Sequence, residues 1–149
     1  MIYLGADHKG FHLKEEIKMW LRQWGLEFED LGNTELDEED DYPIFASEVA
    51  KKVSENENSC VGIVACGSGV GVDVVANKYR LIRCGLGFGA QQIKSAREDD
   101  DINILALPAS FLSYKKAKKI TEIFLKVEYE PTQNHDRRIK QILDIEKNK

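Results

Sequence analysis

Five short apolar runs alternate along this chain with segments whose apolar residues recur at helical spacing, and that alternation constrains the fold more than any other feature. The first run, 2–5, begins at once. Leu13, Ile17, Trp20, Leu21 and Trp24 then follow at helical spacing, and Gly25 closes that helix. Residues 26–31 alternate as a half-buried strand. Pro43 opens the next helix, which carries Phe45, Val49 and Val53 on one side. Val61-Gly62-Ile63-Val64-Ala65 is continuously apolar, as a strand buried on both faces requires. A helix over 70–77, a strand over 81–86, a helix over 90–98 and a strand over 102–107 follow. Helices near 113–126 and 136–147 end the pattern.

Strands separated by helices imply a parallel sheet with helices on both faces. The expected fold is α/β: a single-domain, Rossmann-like (flavodoxin-like) three-layer unit over 1–149, with strand order 2-1-3-4-5 and an extra C-terminal helix. A length of 149 residues fits one such domain. In that order the chain reverses direction between strands one and three, and ligands bind at such a switch point, beyond the carboxyl ends of the strands. Two loops are therefore expected to meet: Ala6-Asp7-His8-Lys9-Gly10 and Cys66-Gly67-Ser68-Gly69-Val70-Gly71. The last helix has no strand to cover and is expected at the domain edge or on a second subunit.

Three glycines at alternate positions let the second loop turn sharply and approach a ligand closely. Amides at a helix start form a hole for an anion or a developing oxyanion. Cys66 opens the loop, a place that favours a reactive thiolate, and Ser68 adds a hydroxyl donor. A thiolate there can attack a carbonyl or remove a carbon-bound proton. The loop equally suits a structural turn holding a buried free cysteine. Spacing excludes other readings: no Lys-Ser/Thr follows as in a P-loop, and Val72 stands where a Rossmann fingerprint has its third glycine. His8 reads as a solvated loop residue or, beside Cys66, as part of the site. Tyr42 reads as a lid or a surface residue. The acidic run 35–41 reads as a solvated loop.

Composition narrows the partners. A net charge of −5 gives no basic excess for nucleic acid, so an anionic substrate requires locally placed cations. No apolar run reaches the ~18 residues of a membrane span, and no signal peptide opens the chain. Cys60, Cys66 and Cys84 form no C-x-x-C pair, which argues against a disulfide framework or a zinc knuckle. The expectation is a cytoplasmic protein without membrane or nucleic-acid partners.

Gly5-Ala6-Asp7-His8, Asp41-Tyr42-Pro43, Cys66-Gly67-Ser68-Gly69-Val70-Gly71, Ala76-Asn77-Lys78 and His135-Asp136-Arg137-Arg138 occur in an order and spacing that resembles the type B ribose-5-phosphate isomerases and their galactose-6-phosphate isomerase relatives. The likeness covers essentially the whole chain. It implies an aldose–ketose isomerase of the pentose phosphate pathway that needs neither metal nor cofactor. Cys66 would remove the proton next to the carbonyl. Ser68 and the amides of Gly67, Gly69, Val70 and Gly71 would hold the enediolate. His8 and Arg138, with Arg137, would lie near the phosphate, and Asp7 and Tyr42 would line the sugar pocket. Asp99 and Asp100 stand where many members have His-Asn, the histidine assisting ring opening, and Asp99 would take that part. Ser110 and Asn134 stand where relatives tend to have arginine. Lys9 is a cation that offsets part of that loss. The resemblance also implies a homodimer with shared active sites, or a tetramer of such dimers. Isomerisation of another aldose, phosphorylated or free, and a non-catalytic sugar-phosphate or nucleotide-binding module are the alternatives.

Overall fold

Runs of apolar residues bring five strands into one parallel sheet. The computed structural model describes residues 1–56 and 60–148. Its strands are β1 (Ile2–Ala6), β2 (Phe28–Asp30), β3 (Val61–Cys66), β4 (Cys84–Leu86) and β5 (Ile104–Pro108). All four neighbouring pairs run parallel. Every residue of β1 and β5 is buried, as is β3 after Val61. Around the sheet lie α1 (Phe11–Gln23), α2 (Tyr42–Glu55), α3 (Val70–Ala76), α4 (Ala90–Asp100), α5 (Tyr114–Lys126) and α6 (Gln133–Lys147). The expected domain over 1–149 includes 57–59 and 149, which lie outside the described residues.

The α/β class holds, but the strand order is β2-β1-β3-β5-β4, not the expected 2-1-3-4-5. The reason lies in what each strand can bury. β5 is apolar at all five positions and tolerates cover on both faces. β4 is only three residues long and half-buried. It starts late because Leu81 sits at φ 65°, which an extended strand cannot contain. The interior place beside β3 therefore goes to β5, and β4 takes the edge.

Right-handed crossovers then decide which face each helix covers. The steps β1 to β2 and β4 to β5 move one way across the sheet. Their helices α1 and α4, with α5, form one apolar layer through Leu13, Ile17, Leu21, Ile93, Ile120 and Phe124. The steps β2 to β3 and β3 to β4 move the other way. Their helices α2 and α3 cover the second face through Ala46, Val49, Val53, Val72 and Ala76. The switch point between β1 and β3 is untouched by the exchange at the far edge. Helix α6 contains no buried residue. It rests on α4 and anchors through the Glu146 carboxylate, which accepts the Leu81 amide at 2.9 and 3.0 Å. Among the described residues no helix is long and apolar enough to cross a membrane.

Candidate active site

β1 and β3 pair in register to their ends, with Ala6 opposite Ala65, so the loops that leave them start side by side. The Asp7 amide donates to the Ala65 carbonyl at 3.4 Å. Gly10 folds over that carbonyl so closely that a Cβ at position 10 would stand 2.4 Å from its oxygen. The Gly10 amide donates to the Asp7 carbonyl at 3.0 Å and to Asp7 Oδ1 at 2.9 Å. This turn leaves Asp7 only 4% exposed. Burial raises its carboxyl pKa above the ordinary value, and the Gly10 amide works in the opposite direction.

Cys66 ends β3, buried, at the wall of a cavity of about 580 Å³ that Asp7, Lys9, Tyr42, Ser68 and Ser110 also line. Gly69 caps α3 at φ 74°, and a Cβ there would come within 2.9 Å of the Pro108 nitrogen. Only glycine makes this turn. Ser68 Oγ accepts the Val70 amide at 3.3 Å, so its own proton remains available to donate. The Tyr42 ring lies over Gly71, where a Cβ would stand 2.8 Å from it, and the Lys9 stem lies over Gly67 in the same way. The Ser110 amide donates to the Gly67 carbonyl at 3.0 Å. The loop is a tight turn holding a buried cysteine, and its outer face is a cavity wall.

His8 is not a freely solvated loop residue. Its backbone amide and its ring Nδ1 each lie 2.8 Å from Asp40 Oδ1. Asp40 Oδ2 accepts the Asn33 side-chain amide at 3.0 Å, and the Asp40 side chain is 6% exposed. The hydrogen bond to Asp40 raises the His8 pKa above its ordinary value. The solvated reading of the acidic run is thereby corrected at this residue. Six carboxylates in seven positions give no periodicity to mark the one that turns inward. His8 and Lys9 line a second cavity of about 300 Å³, which meets the first at Lys9. Phe111, at the mouth of the larger cavity, carried no sequence signal.

Four expected site residues lie elsewhere. Asp99 and Asp100 occupy the last turn of α4. Arg83 Nε donates to the Asp100 and Asp101 carbonyls at 3.1 and 2.9 Å, which holds that turn beside the start of β4. Cys66 instead pairs with Pro108 at the far end of β5. The two groups thus sit at opposite ends of the strands, roughly 13 Å apart at about 3.3 Å per residue. Arg137 and Arg138 follow the first turn of α6, beside Asp99: His135 Nε2 lies 3.6 Å from Asp99 Oδ1, and Arg137 donates to Asn134 Oδ1 at 2.8 Å. A cavity of about 440 Å³ opens at this same end of the sheet, but the guanidiniums of Arg83 and Arg97 in its wall are engaged by Asp101 and backbone carbonyls. Among the described residues no cluster of His, Cys, Asp and Glu is arranged to hold a metal ion.

The switch-point cavity therefore combines a thiol, a hydroxyl donor, glycine-loop amides, a buried carboxyl group and rim cations. Such a set can remove a proton beside a carbonyl and hold the charge that develops on oxygen.

Residues 2–142 match the family model described as Ribose/Galactose Isomerase. The chain is 38% identical over 148 residues to a probable ribose-5-phosphate isomerase B of Mycoplasma pneumoniae, covering 99% of this chain and 96% of that protein. It is 34% identical over 146 residues to ribose-5-phosphate isomerase B of Mycobacterium tuberculosis, covering 98% and 90%. Among solved structures, ribose-5-phosphate isomerase B from Mycoplasma genitalium with bound ribulose-5-phosphate superposes with a TM-score of 0.95 at 37% identity, covering 99% and 97% of the two chains.

Proposed function

The chain belongs to the ribose/galactose isomerase family, and on that premise we propose that it interconverts ribose 5-phosphate and ribulose 5-phosphate with Cys66 as the base. One observation carries the assignment of the base: Cys66 stands at the switch-point cavity, at the head of the glycine loop. In the open-chain aldose, the Cys66 thiolate takes the proton from C2. The electron pair moves into a C1–C2 double bond, and the carbonyl oxygen becomes the enediolate oxygen. The Ser68 hydroxyl and the amides of Gly67, Gly69 and Gly71 face that oxygen, and the Val70 amide is held by Ser68. The Cys66 thiol then returns its proton to C1, and the O2 proton passes to O1. Asp7 and Tyr42 line the sugar, and His8 and Lys9 lie toward the phosphate.

Asp99, Asp100, Arg137 and Arg138 reach such a cavity only from a second copy of the chain. Each site is then completed across a homodimer, with Asp99 of the partner subunit moving the proton that opens the sugar ring. In support, α3 leaves Val70 and Val74, one turn apart, half-exposed, and the adjoining α2 leaves Ile44 exposed. Such apolar surface marks an interface. The likeness to ribose-5-phosphate isomerases supports a cytoplasmic enzyme of sugar metabolism.

A coupled isomerase assay tests the assignment. Ribose 5-phosphate is turned over, and Cys66→Ala lowers kcat by roughly 10²–10⁴-fold, the range for loss of a general base. A Cys66→Ala protein with unchanged kcat overturns the base. Ser110 at the cavity, where relatives tend to carry arginine, favours a second reading in which another aldose is the better substrate. A higher kcat/KM for free ribose or an allose phosphate than for ribose 5-phosphate in the same assay would establish it.

A further inference from the structure

Asp40 lies 2.8 Å from both the ring Nδ1 and the backbone amide of His8, and its other oxygen is held by Asn33. We propose that Asp40 is a positioning residue of this active site: it locks the proton of His8 onto Nδ1, so that Nε2 can donate to the substrate's phosphate only when the ring is a cation, and it keeps the ring in that state. The inference rests on the sugar-phosphate reading above.

The argument starts from the tautomer. A carboxylate only accepts, so the Nδ1 beside it carries the hydrogen. In a neutral ring Nε2 would then present a lone pair, which repels phosphate oxygens. In the protonated ring Nε2 carries an N–H and a positive charge. His8 thus binds phosphate in one protonation state and opposes it in the other. The carboxylate biases the ring toward the binding state. Asp40 is itself held rigidly. The Asn33 side chain donates to it, and the Asn33 carbonyl accepts from Lys14 Nζ at 3.0 Å. The chain Lys14–Asn33–Asp40–His8 ties a buried helix residue to the rim of the cavity.

The groups facing His8 set the sign. Asp7 and Asp40 favour the cation and Lys9 opposes it, while Glu38 and Glu39 line the same small cavity and add negative charge. The same glutamates repel a phosphate, so the cation is needed here. In the larger cavity that adjoins it at Lys9, Ser110 supplies no guanidinium. A His8 biased toward its cation by a local hydrogen bond supplies part of what an arginine side chain would contribute.

The test compares wild type with Asp40→Asn, which can still accept from Nδ1 but carries no charge. In wild type the KM for ribose 5-phosphate stays low until pH rises through the elevated His8 pKa. In Asp40→Asn that rise in KM begins at lower pH, with kcat little changed. At its largest the KM difference is about fivefold, the worth of one unit charge about 4 Å away in water. Independently of activity, NMR titration of the wild-type imidazoles should find His8 with the proton on Nδ1, titrating above its ordinary value and responding to inorganic phosphate. A folded Asp40→Asn protein with a wild-type pH profile of KM overturns the proposal. If that variant does not fold, a wild-type His8 that titrates at its ordinary value overturns it. Absence of wild-type turnover with His8 titrating above its ordinary value instead overturns the sugar-phosphate reading.

Discussion

Asp7 shows how a site residue works against the fold that holds it. Its carboxyl is buried by the Gly10 turn, and burial raises its pKa. A carboxyl whose pKa is higher in the folded state favours folding only while it is protonated. Its contribution is present below the unfolded-state pKa and is lost as pH rises through the folded one. At neutral pH the ionised Asp7 is therefore a cost to stability. Asp7→Asn retains an oxygen for the Gly10 amide and removes the charge. Urea unfolding is expected to show Asp7→Asn more stable than wild type at pH 7, with the gain vanishing toward pH 3, while isomerase activity falls. A variant less stable than wild type at pH 7 would show that the carboxylate is instead well solvated or paired. Glycines show the reverse arrangement. Positions 69 and 71 serve turn and cavity together, since the space a Cβ needs is filled by Pro108 and by the Tyr42 ring. That double use is why glycine spacing located the site in the sequence.

Among the elements, β2 and its following loop depend on a buried cation. Lys14, 1% exposed on α1, reaches Asp30 at 2.5 Å, Glu15 at 2.9 Å and the Asn33 carbonyl. Gly32 leaves room for it, because a Cβ there would stand 3.0 Å from the lysine stem. Lys14→Met keeps the volume and removes the donor. Lys18 still pairs Asp30 at 2.8 Å, so the expected destabilisation in urea titration is about 3 kcal/mol, the low end for a broken buried ion pair. KM should rise with it, since the loop that presents Asp40 loses its anchor. A stability equal to wild type would show that the loop stands without Lys14. Nothing in the helical pattern around Leu13 and Ile17 marked Lys14 as buried, because its partners come from a strand and a loop distant in sequence. The strands were legible for the opposite reason: Val61 to Ala65 and Ile104 to Leu107 are apolar without interruption. Sheet position was the step that failed. Chain order alone placed the fourth strand inside, whereas burial capacity assigns that place to β5. Both loops of the cavity were legible from the switch point, and that point does not depend on the order of the outer strands.

At the scale of the whole molecule, the expected site divides into two groups at opposite ends of the strands. Cys66, Ser68, Asp7, His8 and Tyr42 gather at one, and Asp99, Asp100, Arg137 and Arg138 at the other. On the proposed two-copy site, a closed pair places each group against its counterpart twice. Cys66→Ala and Arg138→Ala proteins would each be nearly inactive alone. Mixed in equal amounts and allowed to exchange chains, they should recover about a quarter of wild-type activity, because half of the pairs are mixed and each holds one intact site. No recovery in a mixture shown by mass spectrometry to have exchanged would confine each site to a single chain. The separation also has a genetic consequence. A chain carrying either change alone leaves one working site in every pair it forms with a normal chain. A chain carrying both spoils its own site and its companion's, so it acts as a dominant poison. On the proposed two-copy site, dominance would be decided by whether two lesions lie in one copy or are divided between two.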